Sequence, residues 1–123
     1  MVQPKTAPAR GLLRASKVIG EKVMNLAGED LGKIEDLIVD ATSGSTVYAV
    51  LSFGGFLGMG DKLFALPWAS LTVDAMENRV ILDVDKDLLK RAPGFDKDQW
   101  PDMADRTWGS GIYTYYKRKP YWD

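Results

Sequence analysis

The sequence contains no cysteine and no histidine. Without cysteine there is no disulfide, no thiol nucleophile and no thiolate zinc site. Without histidine there is no Ser-His-Asp triad and no side chain that titrates unperturbed near neutral pH. An enzyme built from this chain would have to work through carboxylates, lysine, serine or tyrosine. No spacing of Asp or Glu marks such a site. Glu35 and Asp36 are adjacent, so on a strand they point to opposite faces and make a poor acid–base pair. Also missing is any apolar run near the roughly 20 residues of a membrane helix. The chain reads as non-enzymatic, without a catalytic residue, cofactor or metal, and with no transmembrane segment. Its expected location is cytoplasmic, or periplasmic if an export signal has been removed.

What is present is the balance of a globular domain. Of 123 residues, 46% are apolar and 27% charged. That length supports one domain with a sizeable core. The net charge of −1 hides an uneven distribution. Lys5, Arg10, Arg14 and Lys17 precede any acid, and Lys117-Arg118-Lys119 lies near the far end. The stretch between Glu21 and Asp105 is acidic. Each basic cluster is shorter than a polybasic membrane patch, so solvated tails are the simpler reading.

Residues 1–11, with Pro4 and Pro8, read as a disordered leader. Six short strands follow: Lys22 to Leu26, Leu31 to Ala41, Val47 to Phe53, Leu63 to Leu66, Leu71 to Val73 and Arg79 to Leu82. In the second strand Ile34 and Ile38 share one parity while Leu37 and Val39 share the other. A bulge near Glu35, or a bend at a barrel corner, would switch the apolar face. Pro67 lacks an amide hydrogen and marks a strand end. Asp85 reads as the N-cap of a short helix carrying Leu88 and Leu89. The expected class is all-β: a small antiparallel barrel or two-sheet sandwich with a short helix. Residues 12–90 make the barrel. Residues 91–123 form an aromatic extension, expected to wrap along the barrel or a neighbouring subunit.

The sharpest local feature is the loop Gly54 to Lys62. Its glycines match neither the P-loop nor the dinucleotide pattern, and a strand rather than a helix follows. It reads as a long hairpin whose Phe56 and Leu57 fold back on the barrel, or as an exposed apolar tip of Phe56, Leu57 and Met59 that packs on a partner. Asp83-Val84-Asp85-Lys86-Asp87 resembles the start of a calcium loop, but Leu88 and Gly94 stand where an EF-hand needs Gly and Glu. Asp96, Asp98, Asp102 and Asp105 read as caps and turns. The extension carries Trp108, Tyr113, Tyr115, Tyr116 and Trp122. Packing or subunit contact suits these rings better than stacking on bases, because the acidic body opposes extended nucleic-acid contact.

Ser16-Lys17-Val18-Ile19-Gly20, Gly28-Glu29-Asp30-Leu31-Gly32-Lys33-Ile34-Glu35-Asp36-Leu37, Tyr48-Ala49-Val50-Leu51, Gly54-Gly55-Phe56-Leu57-Gly58 and Ala65-Leu66-Pro67-Trp68 come in an order that resembles the PRC-barrel family. The resemblance spans about Leu12 to Leu89. The segment from Ala92 to Trp122 also looks like an extension found on some bacterial members. The family is named for a β-barrel of the photosynthetic reaction centre H subunit, and a ribosome-maturation factor carries a related domain. The resemblance implies a six-stranded PRC-type antiparallel β-barrel and a habit of binding macromolecules. It implies no single activity. The expected function is a protein-interaction scaffold that self-associates, as a dimer first of all, or docks on a partner. The alternative is an RNA- or ribosome-associated module. The expected contacts are Phe56, Leu57, Met59, Trp108, Tyr113, Tyr115, Tyr116 and Trp122.

Overall fold

The β-branched and aromatic run around Tyr48 forms the strand on which the other elements are laid. The computed structural model describes residues 12–54, 61–74, 77 and 79–123. The expected leader, residues 1–11, and the loop residues Phe56, Leu57 and Met59 lie outside the described residues. A helical turn, α1 (Ala15–Val18), leads into β1 (Lys22–Met24), β2 (Asp30–Val39), β3 (Thr46–Gly54) and β4 (Asp61–Pro67). A three-residue 3-10 turn, Trp68–Ser70, leads to β5 (Leu71–Asp74) and β6 (Arg79–Leu82). Two more helices follow, α2 (Lys86–Lys90) and α3 (Arg106–Tyr115).

All six expected strands are present. The face switch in β2 is a bulge: Ile34 pairs with Leu51 and Asp36 with Val50, so Glu35 is skipped. Gly32 sits at φ +115°, and a Cβ there would lie 2.1 Å from the Ser52 carbonyl oxygen. Only glycine fits this close approach of β2 to β3. Asn25 is buried at the turn after β1. Its amide donates to Glu29 Oε1 at 2.8 Å and to the Val84 carbonyl at 3.1 Å. The turn is thereby tied to the segment after β6.

The strands form one sheet in the order β4-β3-β2-β1-β6-β5. This corrects the expectation of a closed antiparallel barrel in two respects. β1 and β6 pair in parallel, and no ladder joins β4 to β5. Yet β4 and β5 are consecutive in the chain, with only Trp68–Ser70 between them. A flat sheet of six strands would set its edges roughly 24 Å apart. Four residue steps cover at most about 14 Å. The sheet must therefore curl into an open half-barrel. On the β4 side, the outer edge is taken at Leu63 by Phe95. There the Leu63 N–H donates to the Phe95 carbonyl at 2.9 Å, and the Phe95 N–H donates back at 2.8 Å.

The extension also differs from an extended tail. Residues 106–115 form the ten-residue helix α3. Asp105 caps it, accepting from the Thr107 N–H at 2.9 Å. At its other end the Arg118 N–H reaches the Tyr113 carbonyl at 2.9 Å and the Lys117 N–H the Thr114 carbonyl at 3.1 Å. Lys117 carries φ 57°, the left-handed residue of a Schellman stop. α3 buries Ile112 and Tyr113 in the same core as Val18, Val23, Leu31, Leu51, Leu66, Leu82 and Leu89. β3 is consequently buried along nearly its whole length, on both faces.

Opposite outcomes are expected at two points of α3. A Cβ at Gly109 would lie 2.6 Å from Tyr48 Oη and 3.0 Å from the Trp122 ring. Gly109→Ala should cost about 2 kcal/mol through overpacking, despite alanine's better helix propensity. Lys117→Gly relieves the left-handed conformation and should stabilise by about 0.5–1 kcal/mol. Urea unfolding of the two variants checks both signs.

Candidate functional site

Two of the aromatic residues singled out as contacts, Trp108 and Tyr113, pack on Tyr48 within the same chain. Tyr48 lies in β3 with no exposed surface. Its ring meets Trp108 edge-on at 5.4 Å, Tyr113 at 5.4 Å and Tyr121 at 6.0 Å. Trp122 packs edge-on against Tyr113 at 6.0 Å, and the Arg106 guanidinium lies 5.4 Å from the Trp122 ring centre. The Tyr113 hydroxyl donates to the Val47 carbonyl at 2.8 Å, stitching α3 to β3. The Tyr115 hydroxyl donates to the Leu88 carbonyl, stitching α3 to α2. Tyr113 and Tyr116 are buried, and Trp108, Tyr115 and Trp122 half-buried. Much of the surface of these five rings is used to attach α3 and the segment after it to the sheet and to α2.

Two phenols in this region are buried without a hydrogen-bond partner, Tyr48 Oη and Tyr116 Oη. Burial pushes the Tyr48 phenol up to about 12, with the nearby Tyr121 phenol adding to the effect. Burial also raises Tyr113, helped by Tyr48 and Tyr121, and raises Tyr116, helped by Tyr115. These shifts record how dry the junction is.

Three of the carboxylates singled out as weak cation candidates, Asp85, Asp102 and Asp105, accept from backbone N–H groups at caps and turns. Asp85 accepts from the Leu88 N–H at 2.7 Å and starts α2. Asp102 accepts from the Ala104 N–H at 3.1 Å. Among the described residues no group of three Asp or Glu could hold a metal ion. No helix among them is long and apolar enough to cross a membrane.

The concave surface of the molecule lies elsewhere, around β1, β6 and β5. One hollow of about 500 Å³ is lined by Met24, Leu26 and Ile81, with Lys22, Glu21 and Arg79 at its rim. Leu26, at the tip of the β1–β2 turn, is 71% exposed. A second hollow of about 180 Å³ has Val18, Val73 and Val80 in its lining, together with Leu12 and Leu13. Its charged lining residues are Arg14, Lys17 and Arg79 against Glu21 and Asp74. The two hollows flank the β1–β6 pair and have Glu21, Arg79 and Val80 in both linings. Arg79 reaches Glu77 at 3.1 Å and Asp74 at 3.7 Å. Sequence reasoning did not find this surface. Its one local signal was Leu26, an apolar residue leading directly into a turn.

The described residues thus form a curled six-stranded β-domain sealed by a C-terminal helix, with hollows lined by apolar side chains beside β1 and β6. The family model for the PRC-barrel domain matches residues 10–89, and the chain belongs to that family. Among solved structures, the chain is similar to RimM of Pseudomonas aeruginosa, a candidate 16S ribosomal RNA processing protein. The identity is 19% and the TM-score 0.43, covering 61% of this chain and 45% of that one. The chain thus spans less than half of that protein's length. No curated protein gives a significant match.

The buried phenols give a signed pH dependence. The unfolded chain loses its tyrosine protons near pH 10, whereas Tyr48 holds its own to about 12. The raised value is an advantage to the fold that is complete below pH 10 and declines as the pH climbs through about 12. Stability should therefore fall steadily above pH 10. Tyr48→Phe removes the unpartnered hydroxyl, should leave neutral-pH stability unchanged or slightly higher, and should flatten part of the alkaline slope. Tyrosinate absorbance and urea unfolding between pH 8 and 12 check this.

Proposed function

We propose that this chain is a non-enzymatic protein-interaction module that self-associates or docks on a partner protein. The observation that carries the reading is the pair of hollows beside β1, β6 and β5, each lined by apolar side chains together with charges of both signs. An apolar floor with a polar rim is the anatomy of a protein interface. A rim with both signs suits another protein better than a polyanion, which selects an unbroken basic stripe. The loop tip of Phe56, Leu57 and Met59 adds a second apolar contact to this reading. A standard interface buries roughly 800 Å² on each partner, which the hollows and a loop can supply together.

The competing reading, an RNA- or ribosome-associated module, makes a different demand. Phosphate contacts release counterions, so affinity would fall steeply with salt. Light scattering at 50 mM and 500 mM salt, with an RNA oligonucleotide titrated in parallel, separates the two. The expected result is association that survives high salt and no RNA binding. A monomer that takes up RNA only at low salt would overturn the reading. Replacing Phe56 and Leu57 together by Asp should weaken the association at least tenfold without shifting thermal unfolding.

A further inference from the structure

The two edges of the sheet are treated differently. The outer edge of β4 is closed by the Leu63–Phe95 bridge, and α3 packs beside it. β5 is the other edge, and its ladder runs to β6 alone. Among the described residues no backbone bond outside that ladder reaches Thr72 or Val73. Leu71 and Val73 are half-buried, and Thr72 is exposed. Natural edge strands are guarded by lysine, proline or a bulge. β5 is guarded only by its shortness and by Asp74 at its end; Leu71-Thr72-Val73 carries no lysine, proline or bulge. The half-barrel core ends here, because Val73 pairs with buried Val80 and Leu71 with buried Leu82.

We propose that β5 pairs with β5 of a second copy of this chain, antiparallel about a twofold axis at Thr72. This deepens the interaction reading above by naming the partner and the contact. An axis perpendicular to the sheet keeps both core faces on the same side, so it must pass through a residue and not between two. Centring on Thr72 sets Leu71 opposite Val73 of the second copy, apolar against apolar on the core face. Asp74 then falls opposite Ser70 and not opposite its own copy. The small hollow beside β5, with Arg14, Lys17 and Arg79 against Glu21 and Asp74, brings both signs to the contact. A twofold can match each sign with its opposite, as an isologous interface requires. Two six-stranded sheets would join into one of twelve.

The absence of cysteine makes the test direct. In an antiparallel pair, directly opposed Cβ atoms lie about 4.5–5.5 Å apart, close to disulfide reach. Thr72→Cys, a single exposed cysteine in the whole chain, should cross-link more than half of the protein under mild oxidation by oxidised glutathione. Leu26→Cys, exposed on the larger hollow, should cross-link only a few per cent. Thr72→Lys sets two ammonium groups face to face and should raise the dimer Kd at least tenfold, with unchanged thermal unfolding. Dimers by light scattering that cross-link through Leu26→Cys and not Thr72→Cys would overturn the edge pairing and leave self-association standing. A wild-type chain that stays monomeric at 200 µM would also overturn it, leaving docking on another protein as the remaining form of the interaction reading. Cross-linking at Thr72 with an assembly indifferent to Asp at positions 56 and 57 would uphold the edge and remove the loop.

Discussion

The structure depends on one buried ring. Tyr48 lies at the middle of the sheet's apolar surface, and four aromatic or glycine positions from residues 108–121 close over it. Burying a tyrosine removes a large apolar area from water, and its ring contacts add directional preference. The cost is a hydroxyl with no partner. Losing a hydrogen bond in a dry site costs about 1–3 kcal/mol, so the surrounding apolar contacts have to outweigh it. They can do so only if α3 comes close. That closeness requires Gly109, because any side chain there meets Tyr48 Oη. One ring in β3 thus dictates one glycine about sixty residues later and fixes where the helix lies.

A second constraint is topological. Three residues connect strands at opposite edges of a six-stranded sheet. The curl of the half-barrel follows from chain length and does not need a specific contact. The C-terminal extension then closes what the curl leaves open on the β4 side, through Phe95 and α3. It closes nothing on the β5 side. The two edges of the sheet are therefore unlike: one carries the Phe95 bridge and the packed helix, and the other pairs with β6 alone.

Much of the fold was legible in the sequence because strand signals are local. β-branched alternation and turn residues placed all six strands, the parity switch placed the Glu35 bulge, and Asp85 announced α2. Pairing was less legible. Nothing in Lys22–Met24 or Arg79–Leu82 says that the two lie parallel, since that depends on where a distant hairpin returns. α3 was missed because Gly109 and Gly111 depress helix propensity and the aromatic density drew attention away from spacing. The signal was present: Trp108, Ile112, Tyr115 and Tyr116 fall at i, i+4, i+7 and i+8 behind an Asp cap. The packing of the tail aromatics was hard to read for the same reason. Aromatic residues in an exposed tail and in a core helix look alike until a ring to receive them is identified, and Tyr48 was read only as a strand residue. The hollow around Met24, Leu26 and Ile81 left only Leu26 as a local signal, because it joins segments more than fifty residues apart.

The central physical claim is that α3 is as much a part of the core as β3 is. Native-state hydrogen exchange tests it most directly. Amides of Ile112, Tyr113 and Tyr116 should open with nearly the same free energy as those of Tyr48 to Leu51, as members of one cooperative unit. If the α3 amides exchange at the rate of an unstructured peptide while β3 stays protected, the helix is a loosely held tail, and the dependence of the fold on the Tyr48 junction is wrong.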